Sequence, residues 1–208
     1  MKIISDTHFG HENILLYEPK RVQKAQEAGY EDVNEFLVNR LNKYISKNDE
    51  VLHLGDVALK EGYIYASKLN GKYTLIKGNH ENKTRIEYYK SIGWKVIEDI
   101  QIEVEFNKGR FEEIKAKYKS SSIKRAACLI KEINGKRILF SHYPIANDNP
   151  TDNRFPNTIK FLEELFNLCN CDLNIHGHTH SHIVKDKRCL NACLDANDYL
   201  PLDLDEVL

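Results

Sequence analysis

The chain has no long apolar run: nothing in its 208 residues approaches the ~18 that a membrane-spanning helix needs. Met1-Lys2-Ile3-Ile4 leads straight into polar residues, so no secretory signal is visible and a cytoplasmic location, with no membrane partner, is expected. Cysteines are few and odd in number, five in all, which reads as reduced thiols rather than a disulfide framework. No Pro/Gly-rich linker and no internal repeat divides the sequence, so one domain over 1–208 is expected. Net charge is also nearly missing. Thirty basic against 31 acidic side chains leave −1, which removes the simplest argument for bulk attraction to nucleic acid or membrane. A 41% hydrophobic and 29% charged composition of balanced sign excludes a disordered polyelectrolyte. What is plentiful is histidine, at nine residues.

The apolar pattern predicts strand, helix, strand, helix, strand in the first half, which favours an α/β fold. The strands are 2–5, Glu50–Leu54 and Tyr73–Lys77. The first helix runs over 32–46, with Asp32 and Glu35 at capping-box spacing and Val33, Leu37, Leu41 and Tyr44 at helical period. A weaker helix is expected over 62–69. From Ile100 to Phe106 apolar residues alternate as in a half-buried strand. Two apolar runs, 127–133 and 136–140, flank Asn134-Gly135, a strong hairpin signal. A helix over 157–168 and a strand over 172–175 follow.

Residues 107–137 carry +7 and the other 177 residues −8, so the overall neutrality is a cancellation. The pattern there predicts a charged helix over 111–118 and a turn at Ser120-Ser121-Ser122, with a basic insertion at about 107–127.

Five predicted strands or apolar runs stop at groups able to bind a metal: Asp6 and His8; Asp56; Asn79 and His80; His142; His178 and His180. Strand ends hold side chains on a rigid scaffold, and an adjoining glycine lets the backbone turn sharply. Asp-x-His and His-x-His place two donors on one side of an extended segment. Imidazole, carboxylate and amide oxygen together suit Mn, Fe, Zn or Ni better than a thiolate-selective ion. Each block alone is weak; together they are complementary.

In these residues the sequence resembles the calcineurin-like metallophosphoesterase superfamily, whose five blocks are matched in order by Asp6-Thr7-His8, Gly55-Asp56, Gly78-Asn79-His80-Glu81, His142 and Gly177-His178-Thr179-His180. Residues 5–13 and 197–202 are similar to a small bacterial and phage subgroup of uncharacterised phosphoesterases. The resemblance implies a four-layer α/β/β/α sandwich with two mixed sheets. It also implies two divalent ions bridged by Asp56, one held by Asp6, His8 and His180 and the other by Asn79, His142 and His178. Mn²⁺ is the expected ion, with Fe, Ni, Zn or Mg as alternatives. Two such ions activate a water and hold phosphoryl oxygens for in-line attack. His80 takes the role of protonating the leaving oxygen or stabilising charge on the phosphoryl group. Glu81 stands where the family commonly has Asp, and a carboxylate there is expected to favour cationic His80.

His11 faces the phosphate or makes a loop contact; Arg154, in a polar loop with Asp148 and Asp152, pairs with a substrate phosphate or is simply solvated. His53 reads as a supporting or core residue, His176 as support for the His178 loop, and His182 as an exposed extension. Cys169-x-Cys171 and Cys189-x₃-Cys193 fit no common structural zinc spacing well. The expected activity is hydrolysis of phosphate esters, diesters ahead of monoesters, on a phosphoester substrate that includes nucleotides or nucleic acid. Two alternatives accompany it. One is a nuclease or RNA-directed phosphodiesterase whose basic 107–137 segment tracks a phosphate backbone, with Phe111 and Tyr118 as stacking groups. The other is a non-catalytic metal-binding interaction module.

Overall fold

In the computed structural model, which describes residues 1–149 and 154–208, helices flank two five-stranded sheets. The chain begins with β1 (Lys2–Ile4), α1 (Ile14–Tyr17), α2 (Lys20–Glu27), α3 (Val33–Tyr44), β2 (Glu50–His53) and β3 (Lys72–Ile76). Then come α4 (Lys83–Ser91), β4 (Lys95–Ile97), β5 (Ile100–Ile102), α5 (Lys108–Ala116) and α6 (Ser120–Arg125). It closes with β6 (Cys128–Ile133), β7 (Lys136–Ser141), α7 (Pro156–Leu168), β8 (Leu173–His176), β9 (Cys189–Asn191), β10 (Leu202–Asp203) and α8 (Leu204–Val207).

The first sheet has the order β10-β1-β2-β3-β4, parallel except for antiparallel β10, and the second the order β5-β6-β7-β8-β9, parallel except for the β6–β7 hairpin. Alternation of side chains explains the layers. Ile3, Leu52, Leu54 and Ile76 meet Leu129, Ile138, Phe140 and Ile175 between the sheets. Ile4, Val51 and Leu75 pack outward on α3, and Ile130 and Leu139 outward on α7. This is the α/β/β/α arrangement. α7 buries Ile159, Phe161, Leu162, Leu165 and Phe166, a face worth about 1.5–3 kcal/mol per side chain.

Several local signals behave as their chemistry dictates. Asn134 and Gly135 both take positive φ (52° and 77°), as a two-residue type I′ turn requires. Asp32 caps α3 by accepting from Asn34 N at 2.8 Å, but Glu35 does not close the capping box; it pairs with Lys68 at 2.5 Å. Four expectations are corrected. The strand from Ile100 ends at Ile102: Glu103 N donates to Ile130 O at 2.8 Å, and Val104 and Phe106 then pack into the cluster beneath α7. The helix expected over 111–118 runs instead from Lys108 to Ala116, because Asn107 caps it by accepting from Arg110 N. The triple serine begins α6 rather than forming a turn. The helix at 62–69 is a 3₁₀ segment, Lys60–Lys68.

Candidate metal centre

The carboxyl ends of β1, β2, β3, β7 and β8 converge where the two sheets meet. The loops that follow neighbouring strands of each sheet are stitched together: Asp6 N donates to Gly55 O at 3.1 Å, His8 N to Asp56 O at 3.1 Å and Gly177 N to His142 O at 3.0 Å. Asp6, His8, Asp56, His178 and His180 all have positive φ, between 50° and 69°. For residues with a Cβ each such conformation costs on the order of 1–2 kcal/mol, so the surrounding packing holds these turns against a local preference. Two glycines permit the approach. A Cβ on Gly78 would lie 2.4 Å from Asp56 Oδ1, and one on Gly177 would lie 2.0 Å from Ser5 Oγ and 2.5 Å from Asp6 Oδ2.

The two buried aspartates divide their oxygens between support and the centre. Asp6 Oδ2 accepts from Ser5 Oγ (2.5 Å), His178 N (2.9 Å) and Cys193 Sγ (3.2 Å). Its Oδ1 faces His8 Nε2 at 3.3 Å and His180 Nε2 at 3.9 Å. Asp56 Oδ1 accepts from His80 N at 2.9 Å, while Oδ2 faces His142 Nε2 at 3.4 Å and His8 and His80 Nε2 at 3.7 Å each.

Three imidazoles, those of His8, His142 and His180, have Nδ1 tied and Nε2 turned inward. His142 Nδ1 donates to Leu54 O at 2.9 Å, His180 Nδ1 to Asp195 Oδ2 at 2.9 Å, and one proton bridges His8 and His11 Nδ1 across 3.2 Å. A carbonyl or carboxylate on Nδ1 leaves Nε2 as a lone pair. His142 Nε2 thus meets Asn79 Oδ1 at 3.0 Å, acceptor against acceptor, with Tyr143 OH donating to the same oxygen at 3.3 Å. Lone pairs converging on carboxylate and amide oxygens are satisfied by a cation, so the residues fit divalent metal. Ligand atoms of Asp6, His8 and His180 lie within 4.8 Å of one another, as do those of Asp6, Asp56 and His142 and of His8, Asp56 and His80. His178 stands beside them, its ring 5.1 Å from that of His142.

Protonation agrees with this. Burial pushes His8 down to about 3 and His80 to about 4, and lowers His142, so these rings are neutral at neutral pH. Burial, Glu81 and Asp6 push Asp56 well above the usual carboxylate range, the direction that a cation beside it reverses. Burial also pulls on His180, but the hydrogen bond to Asp195 and the charges of Asp6 and Asp195 outweigh it and raise it.

Above this floor opens a cavity of about 570 Å³, lined by His8, His11, Asp56, Asn79, His80, His178 and His180. Asp6 and His142 lie buried beneath it. Arg154 lines the wall near Asn147 and Asn149, and Ile14, Tyr17, Pro144 and Ile159 add an apolar side. Asp152 lies outside the described residues.

Glu81 does not meet the expectation attached to it. Its Oε2 accepts from Asp56 N (3.0 Å) and Gly78 N (2.7 Å), and its Oε1 from Val57 N (2.8 Å). The carboxylate is spent on backbone amides and leaves the His80 ring uncharged. His182, expected to be exposed, donates to Asp148 Oδ1 at 2.8 Å. His53 accepts from Gly55 N on Nδ1 (3.2 Å) and meets Thr7 Oγ on Nε2 (3.1 Å), and His176 Nδ1 donates to Gly177 O at 2.8 Å. All five cysteines are free, and among the described residues none joins a metal-binding group.

Part of the basic segment's charge is met within the segment and on α7. Arg110 pairs with Glu113 (2.6 Å), Lys115 with Glu112 (3.2 Å) and Lys117 with Glu164 (2.5 Å). Tyr118 donates to Glu164 at 2.6 Å with its ring edge-on to Phe161, and Phe111 packs on Phe106. Each ring is partly buried in the cluster beneath α7.

Two residues that sequence reasoning missed are Arg21 and Asp195. Arg21 is 1% exposed and forks onto Asp195 through Nε (2.7 Å) and Nη2 (2.6 Å). Nothing local in the sequence links residues 174 positions apart.

The chain belongs to the calcineurin-like phosphoesterase superfamily: that family's model matches residues 1–194. A crystal structure of a protein of unknown function from Aquifex aeolicus is 27% identical, covering 100% of this chain and 96% of that one with a TM-score of 0.69. A novel archaeal phosphodiesterase structure is 17% identical over 91% of this chain and 81% of its own, with a TM-score of 0.43. An uncharacterized protein of Methanocaldococcus jannaschii is 30% identical over 103 residues, 46% of this chain and 56% of that protein, so the match spans little more than half of that relative. Among the described residues no helix is long and apolar enough to cross a membrane.

Proposed function

We propose that the protein is a dinuclear-metal hydrolase of phosphate esters that favours diesters. The observation that carries this is the convergence of three inward Nε2 atoms on Asp6 Oδ1 and Asp56 Oδ2 at 3.3–3.9 Å. Asp6, His8 and His180 would hold one ion and Asn79, His142 and His178 the other, with Asp56 shared between them; Mn²⁺ is the proposed metal. When bound, such a pair supplies positive charge for phosphoryl oxygens and an acidified water. The chain's own groups do the rest. His80, over Asp56 on the cavity floor, serves the leaving oxygen through its ring, and His11 and Arg154 orient the non-reacting phosphate oxygens. Diesters are favoured because the wall of Ile14, Tyr17, Pro144 and Ile159 gives a second ester substituent an apolar surface beside the floor.

The test compares a generic phosphomonoester, a generic phosphodiester and 2′,3′- and 3′,5′-cyclic nucleotides with Mn²⁺ added. Diester hydrolysis exceeding monoester hydrolysis supports the proposal. Monoester hydrolysis alone would overturn the diester preference, and metal uptake without hydrolysis of any ester would leave the interaction module instead.

A further inference from the structure

Arg21, Asp195 and His180 form one buried chain of contacts. The Arg21 guanidinium reaches Asp195 through Nε at 2.7 Å and Nη2 at 2.6 Å. It also donates through Nη2 to Asp6 O at 2.7 Å and through Nη1 to Thr7 O at 2.8 Å. Asp195 then accepts from His180 Nδ1 at 2.9 Å. One guanidinium therefore fixes the backbone that carries Asp6 and His8 and, through Asp195, the ring of His180. Three residues before Arg21, Glu18 Oε1 accepts from Ser181 N (3.2 Å) and Ser181 Oγ (2.9 Å), which holds the other flank of His180.

The geometry points to Arg21 and Asp195 as positioning residues for the ion held by Asp6, His8 and His180 alone, an inference that rests on the metal reading above. Asp195 also lies within 4.8 Å of Glu18 and His180, a grouping that could suggest a further ion. Its oxygens argue otherwise. Oδ1 takes Arg21 Nε, while Oδ2 takes Arg21 Nη2 and His180 Nδ1, and an adjacent guanidinium repels a cation. What Asp195 does is keep the proton of His180 on Nδ1, so that the lone pair sits on Nε2, and fix the direction in which that ring points. On the other side of Asp56, His142 Nδ1 donates to the Leu54 carbonyl and Asn79 Oδ1 accepts from Tyr143 OH, and neither contact involves Arg21 or Asp195.

Lysine cannot replace Arg21, since its single ammonium cannot fork onto a carboxylate and reach two carbonyls as well. Calorimetric titration of the chelator-stripped full chain with Mn²⁺ reads the consequence. The wild type takes up two ions. In Asp195→Ala and Arg21→Met one ion binds about 10- to 100-fold more weakly while the other keeps its affinity within about twofold; Asp195→Asn, which keeps the shape, loses less. General loosening would weaken both ions together, and that result overturns the inference, as does a variant binding both ions like the wild type. A wild type that takes up fewer than two ions overturns the metal reading itself. Should the variants fail to fold, ¹⁵N NMR of the unaltered protein decides: His180 protonated on Nδ1, with Zn²⁺ shifting Nε2, is the expected result, and a proton on Nε2 or Zn²⁺ on Nδ1 overturns it.

Discussion

Glu81 and Asp56 are bound backbone to side chain: Glu81 Oε2 accepts the Asp56 amide at 3.0 Å and the Gly78 amide at 2.7 Å. One carboxylate oxygen therefore joins the loop after β2 to the loop after β3, the two loops that carry Asp56 and Asn79. A carboxylate is acceptor-only, and three amides converge on it. Glu81→Gln must turn an NH₂ toward at least one of them. The substitution is expected to destabilise by about 1–3 kcal/mol and to weaken metal binding. Thermal unfolding and metal titration check this together; an unchanged Tm would mean that the amides find other acceptors.

Gly177 is set by space. A methyl group there would meet Ser5 Oγ and Asp6 Oδ2, both held in place by other bonds. Gly177→Ala is expected to cost about 1–3 kcal/mol and to displace Asp6, with weaker metal uptake beside the lower Tm. A Tm drop with metal affinity intact would show that the strain is absorbed away from Asp6.

His80 faces the cavity and is 33% exposed, unlike the fully buried His142. Its removal should therefore leave the centre standing. His80→Ala is expected to lower kcat by roughly 10²–10⁴-fold while metal content and Tm hold. Loss of a metal ion instead would make His80 a ligand, in line with its 3.7 Å approach to Asp56 Oδ2.

The core of α7 provides a control away from the chemistry. Leu165 is fully buried against the second sheet, so Leu165→Ala is expected to lower stability by about 2–5 kcal/mol. At temperatures where the variant remains folded, kcat should match the wild type; a lower kcat there would tie α7 to the site.

Much of this molecule is legible in its sequence because the relevant signals are local. The Asn134-Gly135 turn, the apolar period of Val33–Tyr44 and the polar stops after β1, β2, β3, β7 and β8 each act within a few residues. The family blocks supplied the α/β/β/α layering that periodicity alone does not give. What was not legible is of two kinds. Glu81 has the expected type in the expected place, but its direction is set by three amides that exist only once the loops are folded. Arg21 carries no local signal of its role, because Asp195 reaches it from 174 residues away. The basic stretch misleads in the opposite sense, since part of its charge is met by Glu112, Glu113 and Glu164.

The central claim is that a metal pair bridged by Asp56 performs phosphoester hydrolysis. The most direct measurement is diester hydrolysis by chelator-stripped wild type and Asp56→Asn as Mn²⁺ is added back. The account predicts that the stripped wild type is inactive and recovers in step with the uptake of two ions. It predicts that Asp56→Asn falls by roughly 10² or more at saturating metal. Hydrolysis that survives chelation, or an Asp56→Asn variant as active as the wild type, would contradict it.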